Sequence, residues 1–346
     1  MSSPKTLCLL RLSAIGDCCH AVALVQHIQK HWPETKITWV IGKIEAQLIR
    51  ALLPSVELIV FDKKQGRAAF TQLRQQLRGR HFDALLHLQA NFRANLVSLC
   101  IPAKKKIGFG RERARELQWL FTNVKAPIGQ GMHVAEGFMD FAVALGLPAA
   151  KPTWHVSAPQ EDLDWAKRYK DERPLFILCP SASKPERNWT TAGYAAILNH
   201  AHQNGFKTAL IGSPAANEVE LAEQIMALTP HVDLNLVGKT SLVQLFALLQ
   251  QAQIVIAPDT GPAHMATLAG TPVIGLYATQ TPLRTGPYND LDKVVSVYDE
   301  ALLAETGKTV AQVSWRTRVK AKDAMHRITV EKVLSQLSPL LSNTRD

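Results

Sequence analysis

The chain has 346 residues, 47% of them hydrophobic, which is long for one domain and predicts two, each with a sizeable core. No run approaches the apolar length of a bilayer-spanning helix, which excludes such a segment. The formal net charge of +10 calls for an acidic partner, and nucleic acid, an anionic membrane face and a phosphorylated ligand all fit it.

The start of the chain, Met1 to Lys5 followed by the short apolar run Thr6–Leu12, lacks the cleavage site and apolar length of a signal peptide. A cytoplasmic location is therefore expected. The five cysteines (Cys8, Cys18, Cys19, Cys100 and Cys179) are odd in number and scattered, as reduced thiols in such a compartment would be. Adjacent Cys18 and Cys19 do not have a metal-ligand spacing, so no zinc is expected.

Taken in order, Thr6–Leu12 reads as a strand that meets a small-residue turn, Ser13-Ala14-Ile15-Gly16-Asp17. A helix over His20–Lys30 follows, with Ala21, Leu24, Val25 and Ile28 on one face. Strand Lys36–Ile41, helix Glu45–Leu53 and strand Leu58–Phe61 lead into a basic segment containing Lys63, Lys64 and Arg67. Helix Ala68–Leu77 and strand Ala84–Leu88 continue the alternation. The turn Gln89–Arg93 follows, then a helix to about Leu99. The most basic window runs from Lys104 to Arg115 and includes Arg111 and Arg113, and a helix opens at His133 and ends near Leu145.

Residues 149–157, with Pro152 inside and Pro159 just beyond, form the best linker. The alternation then restarts with strand Pro174–Cys179, the polar loop Pro180–Trp189, helix Thr191–Asn204 and strand Lys207–Ile211. Helix Glu218–Ala227, strand Leu234–Val237 and helix Leu242–Gln251 come next. A β-branched strand, Ile254–Ala257, breaks at Pro258 into the turn Asp259-Thr260-Gly261-Pro262-Ala263-His264. Pro262 suits the first turn of a helix, and Asp259 or Thr260 is expected to cap its free amides. The positive end of that helix would attract a phosphate. Gly270-Thr271-Pro272 turns into the next parallel strand, and an amphipathic segment, Val330–Leu341, closes the chain.

Two runs of strand–helix alternation predict an α/β protein made of two doubly wound, Rossmann-like domains facing across a cleft. The expected boundaries are 1–155, 156–325, and a C-terminal helix and tail, 326–346, packing back on the first domain. In an open α/β sheet, ligands lie beyond the carboxyl ends of the strands. The turns Ser13–Asp17, Gln89–Arg93, Ser181–Trp189 and Asp259–His264 all hold that position. The dinucleotide loop G-x-G-x-x-G is absent. Gly238-Lys239-Thr240 matches only the tail of a nucleoside-triphosphate loop, because Asp233 stands where the earlier glycine belongs. It reads as a turn. Asp17 is, on local grounds, either a helix cap or a carboxylate that removes a proton from an attacking hydroxyl. His20 and His87 read as structural histidines.

The pairing of Ser13-Ala14-Ile15-Gly16-Asp17 with Asp259-Thr260-Gly261-Pro262-Ala263-His264 resembles the ADP-heptose:lipopolysaccharide heptosyltransferases, glycosyltransferase family 9, over essentially the whole chain. Leu10 to Asp17 and Trp39 to Lys43 look most like heptosyltransferase I, which adds the first heptose to the Kdo of lipid A. The resemblance implies the two-domain GT-B fold and an inverting transfer from ADP-heptose, with Asp17 as the base. It implies that Asp259, Thr260, Gly261 and His264 form the donor pyrophosphate site. Ser181 and a basic residue, Arg187 or Lys184, would lie against the diphosphate, and Glu220 would fall near the ribose, unless it simply lies on a solvated helix face. Lys63, Lys64, Arg67, Arg111, Arg113 and Arg115 would serve the acidic acceptor, Kdo-lipid A, and draw the enzyme to the inner face of the cytoplasmic membrane.

No carboxylate cluster suggests a resident metal, and no cofactor is required, with Mg²⁺ entering only as a loosely bound activator on the diphosphate. Three other readings are another GT-B nucleotide-sugar transferase or epimerase, a non-catalytic nucleotide-sugar sensor, and a nucleic-acid-binding protein. The last has only the charge behind it, since no aromatic-interleaved basic stretch or known motif is present, and nucleic acid is not expected as a partner.

Overall fold

The computed structural model describes residues 3–129 and 131–342, and the chain divides into two compact units, 1–156 and 157–346.

In the first unit the elements are β1 (Thr6–Leu10), α1 (Ile15–His31), β2 (Lys36–Gly42), α2 (Glu45–Leu52), β3 (Glu57–Phe61) and α3 (Arg67–Gln76). They continue with β4 (Phe82–His87), α4 (Phe92–Ser98), β5 (Ala103–Gly108), β6 (Val124–Lys125) and α5 (Val134–Leu145). Six parallel strands lie in the order β3-β2-β1-β4-β5-β6. Leu7, Cys8, Leu9 and Leu10 are wholly buried, as expected of a central strand covered on both faces.

The second unit opens with α6 (Gln160–Lys167), β7 (Leu175–Leu178), α7 (Thr191–Gln203), β8 (Lys207–Leu210), α8 (Ala216–Met226) and β9 (Leu234–Asn235). Next come α9 (Leu242–Gln251), β10 (Ala252–Pro258), α10 (Gly261–Ala269), β11 (Val273–Tyr277) and α11 (Pro282–Thr285). Then β12 (Val295–Ser296), α12 (Tyr298–Thr306) and α13 (Val330–Ser342) complete it. Its sheet, also parallel, runs β12-β11-β10-β7-β8-β9. Each sheet therefore winds outward from one strand in both directions. The reversal falls between β1 and β4 in the first unit and between β7 and β10 in the second.

Several expectations change. Helix α1 begins at Ile15, five residues earlier than the apolar face suggests, because Ile15-Gly16-Asp17 winds as its first turn. The lysine-rich window hides a strand: in β5, Lys104 and Lys105 reach solvent, while Lys106 donates to the Ser98 carbonyl at 2.8 Å. Burial lowers the Lys106 pKa from its ordinary value. In α13, Val333, Leu337 and Leu341 are buried with Tyr194 and Leu198 of α7 in the core of the second unit, which their spacing on one helix face allows.

His87, at the end of β4, is fully buried and bonded through Nε2 to Asn95 Oδ1 at 3.0 Å. Burial lowers its pKa from 6.5 to about 4, so it is neutral in the fold. Between those values the unfolded chain binds the extra proton. Stability is therefore complete above pH 6.5 and falls as the pH drops toward 4, by on the order of 3 kcal/mol. Thermal melts at pH 7 and pH 4 should show a smaller acid-side loss in the first unit's transition for His87→Gln than for the unsubstituted protein. Equal losses contradict this account.

Candidate active site

At the reversal point of the second unit, Asp259 follows β10 and is almost wholly buried, with 11% of its side chain exposed. Arg187 Nη1 donates to its Oδ2 at 2.7 Å, Gln280 Nε2 donates to the same oxygen, and His264 Nε2 lies 3.5 Å from Oδ1. The Tyr277 hydroxyl stands 3.5 Å from Oδ1 and donates to the Thr285 carbonyl at 2.8 Å. Burial pushes the Asp259 carboxyl up, but the His264 hydrogen bond and the charges of His264, Arg187 and Arg284 outweigh it. The net shift is downward and the group is a carboxylate.

Asp259 is therefore not the cap of α10. Thr260 occupies the N-cap position in extended conformation, and neither residue gives a side-chain cap bond. The reason is competition: a buried carboxylate already held by Arg187 and Gln280 has no geometry left for the helix amides. The first turn of α10, with Gly261 and Pro262 leading, keeps its amides clear of side-chain acceptors, the arrangement that binds anions.

The loop after β7 supplies the facing wall. Ser181 is buried and its hydroxyl has no hydrogen-bond partner among the described residues, a state that costs about 1–3 kcal/mol unless a ligand fills it. The Oε1 of buried Gln280 is in the same condition. Arg187 is brought to Asp259, whereas Lys184 is half-exposed and 3.8 Å from Glu186. Glu220 is exposed on α8 and accepts from Gln224. The carboxylate turned toward the end of β8 is Glu218, which accepts from the Ser213 amide at 2.8 Å and hydroxyl at 2.6 Å.

At the reversal point of the first unit, Asp17 sits in the first turn of α1, not at its cap, where the helix end favours a negative charge. Arg11 donates to its Oδ2, and also to the Leu88 carbonyl at 2.6 Å, tying β1 to the loop after β4. About a third of the Asp17 side chain is exposed. Gln89 accepts from the Leu12 amide at 2.7 Å and donates to Ser13 at 3.4 Å.

A cavity of about 270 Å³ at these strand ends is lined by Ser13, Lys43, Glu45, Lys63, Lys64 and Arg93 among others. Burial raises the Glu45 pKa. Arg67 is exposed on α3 outside that lining. Arg111 and Arg115 line a different hollow, of about 750 Å³, with Lys125, Leu117 and Trp119. Arg113 is engaged within the fold, where it donates to the carbonyls of Gly131 and His133. The six basic residues thus fall into separate groups. No cluster of three or more His, Cys, Asp or Glu side chains suited to a metal exists among the described residues.

Sequence reading missed Arg11, Tyr277 and Gln280. Arg11 carried a signal, as a charged residue ending an otherwise apolar strand. The other two did not, because they reach Asp259 only through tertiary packing.

The chain matches the family model described as glycosyltransferase family 9 (heptosyltransferase) over residues 70–315. It is 47% identical over 339 residues to the lipopolysaccharide core heptosyltransferase OpsX of Haemophilus influenzae, covering 98% of this chain and 97% of the relative. It is 22% identical to lipopolysaccharide heptosyltransferase 3 of Escherichia coli K12, covering 80% and 83%. Among solved structures, a family 9 glycosyl transferase from Veillonella parvula superposes with a TM-score of 0.80 at 20% identity, covering 98% and 97%. E. coli ADP-heptose lps heptosyltransferase II gives 0.74 at 20% identity, covering 99% and 100%. These structural likenesses show the fold, GT-B, with its two doubly wound domains.

Proposed function

Because this chain belongs to glycosyltransferase family 9, the heptosyltransferases, we propose that it moves heptose from ADP-L-glycero-D-manno-heptose to the Kdo of the lipid A inner core. The step belongs to lipopolysaccharide biosynthesis, the process in which OpsX is named. The observation that carries the donor half is the buried Asp259–Arg187–His264 group placed before a helix with uncapped amides.

Asp17 takes the proton of the acceptor hydroxyl as that oxygen attacks the anomeric carbon. The bond to the diphosphate breaks with its electron pair, ADP leaves, and the configuration inverts. Arg187, His264, the α10 amides and the Ser181 hydroxyl meet the charge that grows on the leaving oxygen. Asp259 acts by holding Arg187 and His264 in place, and Arg11 does the same for Asp17. Arg187 is the diphosphate ligand in this reading, with Lys184 at the rim. Catalysis needs no resident metal, and Mg²⁺ serves as a loosely held counter-ion of the diphosphate.

Purified protein given ADP-heptose and Kdo-lipid A should release ADP and yield the inverted linkage, with other sugar nucleotides inactive. Asp17→Asn should lower kcat by about 10²–10⁴-fold with the donor KM little changed. An equally active variant removes Asp17 from the mechanism, and turnover with a different sugar nucleotide alone removes the donor assignment.

The protein works in the cytoplasm, held peripherally to the anionic inner leaflet. Support comes from Leu117, Trp119 and Leu120, each more than half exposed, beside Arg111, Arg115 and Lys125. In sedimentation with phosphatidylglycerol vesicles, Trp119→Ser with Arg115→Gln should weaken binding by about tenfold, at about 1 kcal/mol per cation plus the aromatic ring. Undiminished binding contradicts this surface.

A further inference from the structure

The segment after α12 builds a second wall beside Arg187. Burial alternates along it: Val319 and Ala321 turn into the core of the second unit, while Arg318, Lys320 and Lys322 are exposed on the other side. The strap is pinned along its length. Tyr298 donates to the Thr317 carbonyl at 2.9 Å, and the Val319 amide donates to the Thr279 carbonyl at 2.9 Å. The amides of Lys320 and Ala321 both donate to Glu305 Oε2 at 2.8 Å.

This face, with Lys184, Arg187 and Thr279, lines an open cavity of about 710 Å³, within the range of ligand sites. Five cations face one carboxylate there, Glu186. Glu186 lies against Lys184 and Asp259 holds Arg187, so the lining offers Lys320 and Lys322 no matching charge. Neither Lys320 nor Lys322 makes an ion pair among the described residues. A surface run of lysines is ordinarily solvated and mobile. Here a backbone fixed at four amide or carbonyl positions holds the like charges together in a concavity, an arrangement that favours a bound anion.

We propose that Arg318, Lys320 and Lys322 form an anion subsite, separate from the donor diphosphate site and sharing only Arg187 with it, that takes a phosphate monoester carried by the acceptor. The donor diphosphate is matched by Arg187, His264 and the α10 amides, which leaves the strap for the other substrate. Convergent cations suit a dianionic phosphate better than a single carboxylate. The assignment of that phosphate to the acceptor rests on the heptosyl-transfer reading; the anion subsite itself does not.

The test uses the full chain saturated with ADP, so that the donor site is filled. Calorimetric titration with inorganic phosphate should show binding that Lys320→Gln/Lys322→Gln weakens at least about tenfold and that Lys332→Gln, on α13, leaves unchanged. Absence of binding, or equal binding by all three proteins, overturns the subsite whether or not transfer occurs. In steady-state kinetics the double variant should raise the KM for a phosphate-bearing acceptor about tenfold and leave the ADP-heptose KM within about twofold. Phosphatase treatment of the acceptor should abolish the difference between variant and parent. A rise in the donor KM instead, or a penalty that survives phosphatase treatment, overturns the assignment to an acceptor phosphate.

Discussion

A buried carboxylate governs the second unit. Taking Asp259 out of water costs several kcal/mol unless it is paired and hydrogen-bonded, and the surrounding side chains are arranged to meet that demand. Arg187 reaches it from the loop after β7, His264 from the first turns of α10, and Gln280 from the loop after β11. Three segments far apart in sequence are thereby fixed around one point. The same pairing removes Asp259 from capping duty, and the helix end is left for an anion.

The parallel sheets supply the place. All strands of a parallel sheet deliver their loops to one edge, and where the winding reverses, adjacent loops diverge and leave a crevice. Both units obey the same order around that point, β1 beside β4 in one and β7 beside β10 in the other. The two crevices differ chemically. One holds a nearly enclosed carboxylate with cationic neighbours, suited to a diphosphate. The other holds a partly exposed carboxylate, Asp17, oriented by Arg11 and able to meet a substrate hydroxyl. In the proposed transfer, the division of labour between leaving group and base follows from this difference in burial.

Most of the strand–helix alternation and all four polar turns were legible in the sequence, because apolar strands announce themselves by length and composition and the turns interrupt them. Residue roles within a turn were less legible. Asp17 reads locally as either a cap or a base, and the cap reading ends once the helix is seen to start at Ile15; Asp259 reads as a cap until Arg187 is seen to hold it. Strand β5 was hidden by three lysines whose exposure depends on the sheet's edges. The strap from Arg318 to Lys322 was invisible, since its alternation is only five residues long and its partners, Thr279 and Glu305, lie elsewhere in the chain. Helix α13 was read correctly as amphipathic, but which surface it covers is a tertiary property.

The central claim is that the anion-binding end of α10 and Arg187 together hold the donor's diphosphate. Titration of ADP into the purified protein and its Arg187→Ala and Lys184→Ala variants measures it most directly. A charge-assisted bond of about 1.5–3 kcal/mol predicts that Arg187→Ala binds ADP at least about tenfold more weakly, with Lys184→Ala close to the parent. Equal ADP affinity in Arg187→Ala, with a folded second unit, would contradict it.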